Sequence, residues 1–197
     1  MTRHPFTAAF ALAALAFPAA ALAQGADPAA ATVSTFNTAL GQAMAAGGVQ
    51  ARFKKLEPAA DEAFDFATMT RVAVGPSWSK LSPAEQQQLV RAFGRFTAAS
   101  FAKNFDGDVR FQIDPRVQTK APDKLVTDKL VPKSGSPSTL IWRMRQSGGR
   151  WKIVDVFYNG AISQLASQRS DFQSTLAAGG APALVKKLND KADSLLH

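Results

Sequence analysis

The chain has no cysteine and only two histidines, His4 near the start and His197 at the end. Without thiols there is no cysteine nucleophile and no thiolate metal site, and zinc sites otherwise draw mainly on histidine. Neither histidine is placed to serve as a base in a folded interior, so a Ser-His-Asp arrangement is not available. Tyrosine is nearly absent too, with Tyr158 alone against fourteen phenylalanines. No apolar run reaches the roughly 20 residues that a membrane-spanning helix needs. A glycine-rich loop of the phosphate-cradling kind is missing as well.

Three fragments that could suggest chemistry fall short of it. Asp106-Gly107-Asp108 lacks the further acidic ligands and closing glutamate of a calcium loop, and these are ordinary turn residues between a helix and a strand. Ser77-Trp78-Ser79-Lys80 has a serine–lysine spacing used by some acyl-transfer enzymes. It follows Gly75-Pro76 and precedes a new helix cap, without companion motifs. Gly148-Gly149 belongs to a hairpin turn. The expectation is therefore no metal, no cofactor, no catalytic residues and no enzyme.

The first residues read as an export signal. Arg3 and His4 precede an apolar stretch, Phe6 to Phe17, which Pro18 ends, and Ala21-Leu22-Ala23 supplies small residues for cleavage before Gln24. Residues 1–23 are thus expected to be removed, and residues 24–197 to form one exported domain. About 174 residues suit a single core that needs no disulfide.

The formal net charge is +8, from 23 Lys and Arg against 15 Asp and Glu. The cations are scattered rather than massed in the stripe typical of nucleic-acid binding, so no nucleic-acid partner is expected. Attraction to anionic lipid headgroups or to an acidic partner is one reading. A solvated basic surface that favours solubility is the other.

Periodicity divides the chain into a helical first half, a strand-rich third quarter and a helical tail. Val33, Phe36, Leu40 and Met44 predict a helix over 32–46, ended by Gly47-Gly48, and Val49, Phe53 and Leu56 a second over about 49–56. Asp61 to Thr70 holds the compact Phe64-Asp65-Phe66, and Gly75-Pro76 is a break. Ser82-Pro83-Ala84-Glu85 is a capping box, and Leu89, Phe93, Phe96, Ser100, Phe101 and Phe105 recur behind it at helical spacing. Four strands are predicted, Val109–Ile113, Lys124–Val131, Leu140–Arg145 and Arg150–Tyr158, with a hairpin turn at Ser147-Gly148-Gly149. Alternation puts Leu140, Trp142 and Met144 on one face, with Ile141, Arg143 and Arg145 on the other. Helices over 160–177 and 182–196 follow, parted by Gly179-Gly180.

Phenylalanine has no polar handle and suits dry volumes. A packed core and a lipid pocket use the same residues, however, and periodicity does not separate them. A set of ordered words does more. Phe64-Asp-Phe66-Ala-Thr-Met69, Gly75-Pro-Ser-Trp78 and Leu81-Ser-Pro-Ala-Glu85-Gln come first, followed by Phe93-Gly-Arg-Phe96 and Ser100-Phe101-Ala102. Trp151-Lys-Ile-Val-Asp155-Val156, Asn159-Gly160-Ala-Ile-Ser163 and Gln168-Arg169-Ser-Asp-Phe172 complete the series. From about Ala59 onward the chain resembles the periplasmic phospholipid-carrier family of MlaC and the toluene-tolerance proteins. Phe101 stands where the family commonly has tyrosine, and Asn159 where it has glutamate. Ile162-Ser-Gln-Leu-Ala166 and Arg169-Ser-Asp-Phe172 are more similar to the hopanoid-associated HpnM branch.

The resemblance implies an α+β fold, a curved, mainly antiparallel sheet of about four strands packed against several helices around an apolar lipid cavity. It implies a soluble carrier of a phospholipid or hopanoid, with inner-membrane transporter components and an outer-membrane acceptor as partners. The alternative is an adaptor of such a transport complex that carries no lipid. The expected cavity has Phe93, Phe96, Phe101 and Phe105 as its helix wall and Phe111, Leu140, Trp142 and Met144 on the sheet. Phe66, Met69, Val72 and Trp78 are expected to close one end. Arg143 and Arg145 are candidates to hold a headgroup, with exposed arginines on a solvent face as the other reading. Asp155 and Arg169, at family-like positions, are each expected to supply a structural ion pair or cap rather than a binding role.

Overall fold

The computed structural model describes residues 26–107, 109–160 and 162–197. The expected export signal lies outside the described residues. Among them no helix is long and apolar enough to cross a membrane.

Helix α1 (Pro28–Met44) starts at Asp27, whose carboxylate accepts the Ala29 amide at 2.9 Å and takes Lys124 Nζ at 2.6 Å. That N-terminus precedes the predicted one because proline is favoured in a first turn. Helix α2 (Val49–Ala63) runs past its expected end with Pro58 inside it, and Leu56, Ala60 and Ala63 stay buried. The extended backbone of Phe64 then breaks the chain, and the Asp65 side chain caps α3 (Phe66–Val74) by accepting the Thr68 amide at 2.9 Å. A 3-10 turn spans Gly75–Lys80.

The predicted capping box opens α4 (Pro83–Asn104), with Ser82 accepting the Glu85 amide and Glu85 accepting the Ser82 amide in return. Its buried stripe holds Leu89, Ala92, Phe93, Ala98, Ala99 and Ala102. The tail is α5 (Gln164–Leu196), bent at Gly179 and Gly180 where the backbone leaves helical geometry. That break falls at the predicted pair of glycines.

Among the described residues the sheet has six strands rather than about four: β1 (Val109–Ile113), β2 (Gln118–Lys120), β3 (Asp123–Pro132), β4 (Ser138–Ser147), β5 (Arg150–Tyr158) and β6 (Ile162–Ser163). All pairs are antiparallel, in the order β1-β3-β4-β5-β6, with β2 also on β3. The two extra strands, three and two residues long, are too short to show alternation. A register shift at Arg143/Met144 marks a bulge between β4 and β5.

Alternation along β4 is as predicted. Leu140, Trp142 and Met144 are buried, while Ile141, Arg143 and Arg145 are half-buried on the opposite face. Val126 on β3 and Ile153 and Val156 on β5 complete the inner layer against the helices. The α3 entry is tied to this layer by the Asp65 amide, which donates to the Ile153 carbonyl at 2.9 Å. An aromatic cluster joins the two layers. Phe36, Phe64 and Phe101 surround Trp142, with Phe36 edge-on to Phe64 at 5.1 Å and to Phe101 at 5.2 Å.

Candidate functional site

The space between α4 and one end of the sheet is hollow, with a cavity of about 570 Å³. That size falls within the range of roughly 300–1,000 Å³ common for small-molecule sites. Helix α4 contributes Phe93, Phe96, Thr97, Ser100, Phe101 and Asn104, and Phe105 follows at its end. The sheet wall comes from Val109, Leu130, Pro132, Ser138, Leu140, Val156 and Tyr158. These residues sit where the start of β1, the end of β3, the start of β4 and the end of β5 converge. Gln164, Leu165 and Gln168 from α5, with Phe64 and Met69, close it.

Among the described lining residues none carries a charge. Polar groups are neutral hydroxyls and amides, and Ser100 spends its hydroxyl proton on the Phe96 carbonyl at 2.8 Å. Such a wall solvates hydrocarbon and offers nothing to pair with a buried ion, whose transfer there would be costly. No cluster of three or more His, Cys, Asp or Glu side chains that could hold a metal occurs among the described residues.

Met69, Phe93, Phe96, Phe101, Phe105 and Leu140 come together on the cavity wall. Six other candidates do not line it. Phe66 is buried behind the wall, stacked on Phe64 at 5.3 Å and edge-on to Phe93 at 6.2 Å. Trp142 and Met144 are fully buried in packed core, with Trp142 stacked against the back of Phe101 at 6.2 Å. Phe111 touches the edge of the site through Phe105, ring centroids 6.0 Å apart. Trp78 lies in the 3-10 turn, where its carbonyl accepts Gln86 Nε2 at 3.0 Å. Val72 closes nothing, because it faces outward from α3 and is 45% exposed.

Arg143 and Arg145 are likewise not at the cavity mouth. Both lie on the far face of the sheet and converge on Asp123, with Arg143 Nε 2.6 Å from Oδ2 and Arg145 Nε 2.5 Å from Oδ1. Burial acts to raise the Asp123 pKa, but the hydrogen bonds from Arg145 and Arg143 outweigh it and hold the carboxyl below its ordinary value. Asp155 acts as a cap, accepting the Val156 amide at 2.8 Å and the Ser163 hydroxyl at 2.6 Å beside the start of α5. Arg169 packs over Gly75, whose positive φ of 67° and lack of a side chain leave room for the guanidinium.

Among the residues that sequence reasoning left out, Thr97 and Asn104 had a usable signal. They continue the spacing of Phe93 and Ser100 along one α4 stripe. Ser138, Gln164 and Gln168 had none, because their place on the wall depends on how the loops bring distant segments together.

An α+β layer pair enclosing a largely apolar cavity, uncharged among its described lining residues, defines the chain as a cavity-bearing binding fold. The family model described as "MlaC protein" matches residues 31–190, and the chain belongs to that family. Its fold is similar to that of the phospholipid-binding protein from Ralstonia solanacearum, solved in complex with a phospholipid. The TM-score is 0.73 at 22% sequence identity, covering 87% of this chain and 100% of that one. A comparison with curated proteins gives no match.

Proposed function

We propose that this protein is a periplasmic lipid carrier, which hides a membrane lipid's hydrocarbon in the cavity while the lipid passes between inner and outer membranes. The observation that carries this reading is a cavity of about 570 Å³, walled by Phe93, Phe96, Phe101 and Leu140, whose described lining residues carry no charge. Membership of the MlaC family and the phospholipid held by the Ralstonia relative support it. Leaving an acyl chain of about fifteen methylenes in water costs on the order of 12 kcal/mol, at ~0.8 kcal/mol per methylene. A dry cavity offsets most of that cost. Release then requires a partner that offers an equally apolar path, and inner-membrane transporter components and an outer-membrane acceptor fill that role.

The cargo is a phospholipid or a hopanoid. The similarity of Ile162-Ser-Gln-Leu-Ala166 and Arg169-Ser-Asp-Phe172 to the HpnM branch keeps the polycyclic guest alongside the glycerolipid. The reading assigns the chain no catalytic step.

Native mass spectrometry of protein purified without detergent from its own cells tests the proposal. A carrier arrives with about one lipid per chain, and that lipid's mass names the cargo. Protein that arrives empty, and stays empty after incubation with vesicles of its own membrane lipids, is an adaptor rather than a carrier.

A further inference from the structure

Asp128 on β3 has no solvent exposure, and among the described residues no charged side chain pairs with it. Its Oδ2 accepts Asn37 Nδ2 from α1 at 2.8 Å and Trp142 Nε1 from β4 at 3.3 Å. The other atom of each planar group, Asp128 Oδ1 and Asn37 Oδ1, is also buried, and among the described residues neither has a hydrogen-bond partner. Both are acceptors if the carboxyl is ionised, so a buried anion would lie beside an unpaired carbonyl oxygen. Each such group costs free energy, the ion most of all.

One proton removes both faults. A carboxylic acid and a primary amide are complementary in-plane, each donating to the other's carbonyl oxygen. We propose that Asp128 is a neutral carboxylic acid in the folded protein, its Oδ1–H donating to Asn37 Oδ1, and that this closed acid–amide pair is a proton-dependent latch holding α1 to the sheet. The latch backs the cavity wall, because the Trp142 ring that donates to Asp128 is stacked on Phe101.

The surroundings fit a neutral group. Helix α1 carries no titratable side chain, and its N-cap Asp27 is occupied by Lys124, the residue four places before Asp128 on the same face of β3. Arg110 of β1 and Lys129 of β3 are exposed, and Arg143 and Arg145 of β4 are held by Asp123 on the opposite face. Burial raises the Asp128 pKa, and the hydrogen bonds from Asn37 and Trp142, with a weaker pull from the nearby Gln112 backbone, only partly oppose it.

A group whose folded pKa is raised stabilises fully below its unfolded value, and that contribution is lost as pH rises through the folded value. Infrared difference spectroscopy at neutral pH, wild type minus Asp128→Asn, reads the proton directly. The expected result is a protonated-carboxyl C=O stretch in wild type that the variant lacks. Denaturation midpoints from pH 4 to 9 give the second arm. Asparagine can keep the closed pair without a titrating proton, so wild type is expected to lose stability relative to the variant as pH rises. The proposal is overturned if the difference spectrum shows no such stretch, or if the two proteins keep the same separation across the range. Should the variant fail to fold, carboxyl carbon shifts of aspartate-labelled wild type decide it, and an ionised shift for Asp128 at neutral pH overturns the proposal.

Discussion

Gly94 of α4 lies against the face of Phe66 in α3, so that a methyl carbon placed on Gly94 would come within 3.1 Å of the ring. Phe66 cannot easily retreat, because it is stacked on Phe64 with only 3° between the ring planes. The glycine therefore sets how closely the two helices approach behind the cavity. Gly94→Val is expected to destabilise the fold by about 2–3 kcal/mol, as overpacking typically does. Urea denaturation measures it, and an unchanged midpoint would contradict the close approach.

The cap of α4 is separable from the site. Ser82→Ala removes the acceptor for the Glu85 amide and should cost about 1 kcal/mol. The Glu85 carboxyl is held below its ordinary value, first by the Ser82 hydroxyl and then by the Ser82 amide. Its stabilising contribution is therefore present at neutral pH and lost as pH falls through the lowered value. The deficit of Ser82→Ala in denaturation curves should shrink in acid, with lipid retention at neutral pH unaltered.

Asp123 gives a second acid-sensitive element with a different outcome for binding. Asp123→Asn leaves two arginines without their carboxylate, but both are more than a third exposed and can rehydrate. The expected loss is about 1–2 kcal/mol, below that of a fully buried pair. Since the native carboxyl is depressed, the loss should fade below about pH 4. Lipid affinity should not change. A variant that folds normally but sheds lipid would return Arg143 and Arg145 to the headgroup role.

Filling the cavity tests its occupancy without opening a hole in the core. Thr97 is half-buried on the α4 wall. Thr97→Trp places an indole in the space that the cargo is proposed to occupy. Co-purified lipid should fall at least several-fold while the thermal midpoint holds or rises. Full retention of lipid by the folded variant would put the guest elsewhere.

The aromatic stripe of α4 was legible because capping chemistry and helical period agree there, and the β4 alternation because period two is unambiguous over six residues. Trp142 and Met144 show the limit of such reasoning. Alternation assigns a side chain to a face, but which part of that face is hollow depends on where the opposing helices diverge. Leu140 meets the cavity, whereas Trp142 and Met144, farther along the same strand, meet Phe36, Phe101 and closely packed core. Val72 failed for another reason, since a nine-residue helix with apolar residues around most of its circumference does not announce its outer side. Pro58 sits inside α2 because the helix is carried across it by packing of Leu56, Ala60 and Ala63, a tertiary effect that local propensity does not report.

A container whose described wall bears no charge can weigh its guest only by bulk. Each further carbon that fits should tighten the grip by about fourfold, the equivalent of ~0.8 kcal/mol, until the volume runs out and the gain stops. Sorting by girth and length, with the polar end left to whatever the mouth and the neighbouring membrane supply, is the selectivity that such a vessel imposes.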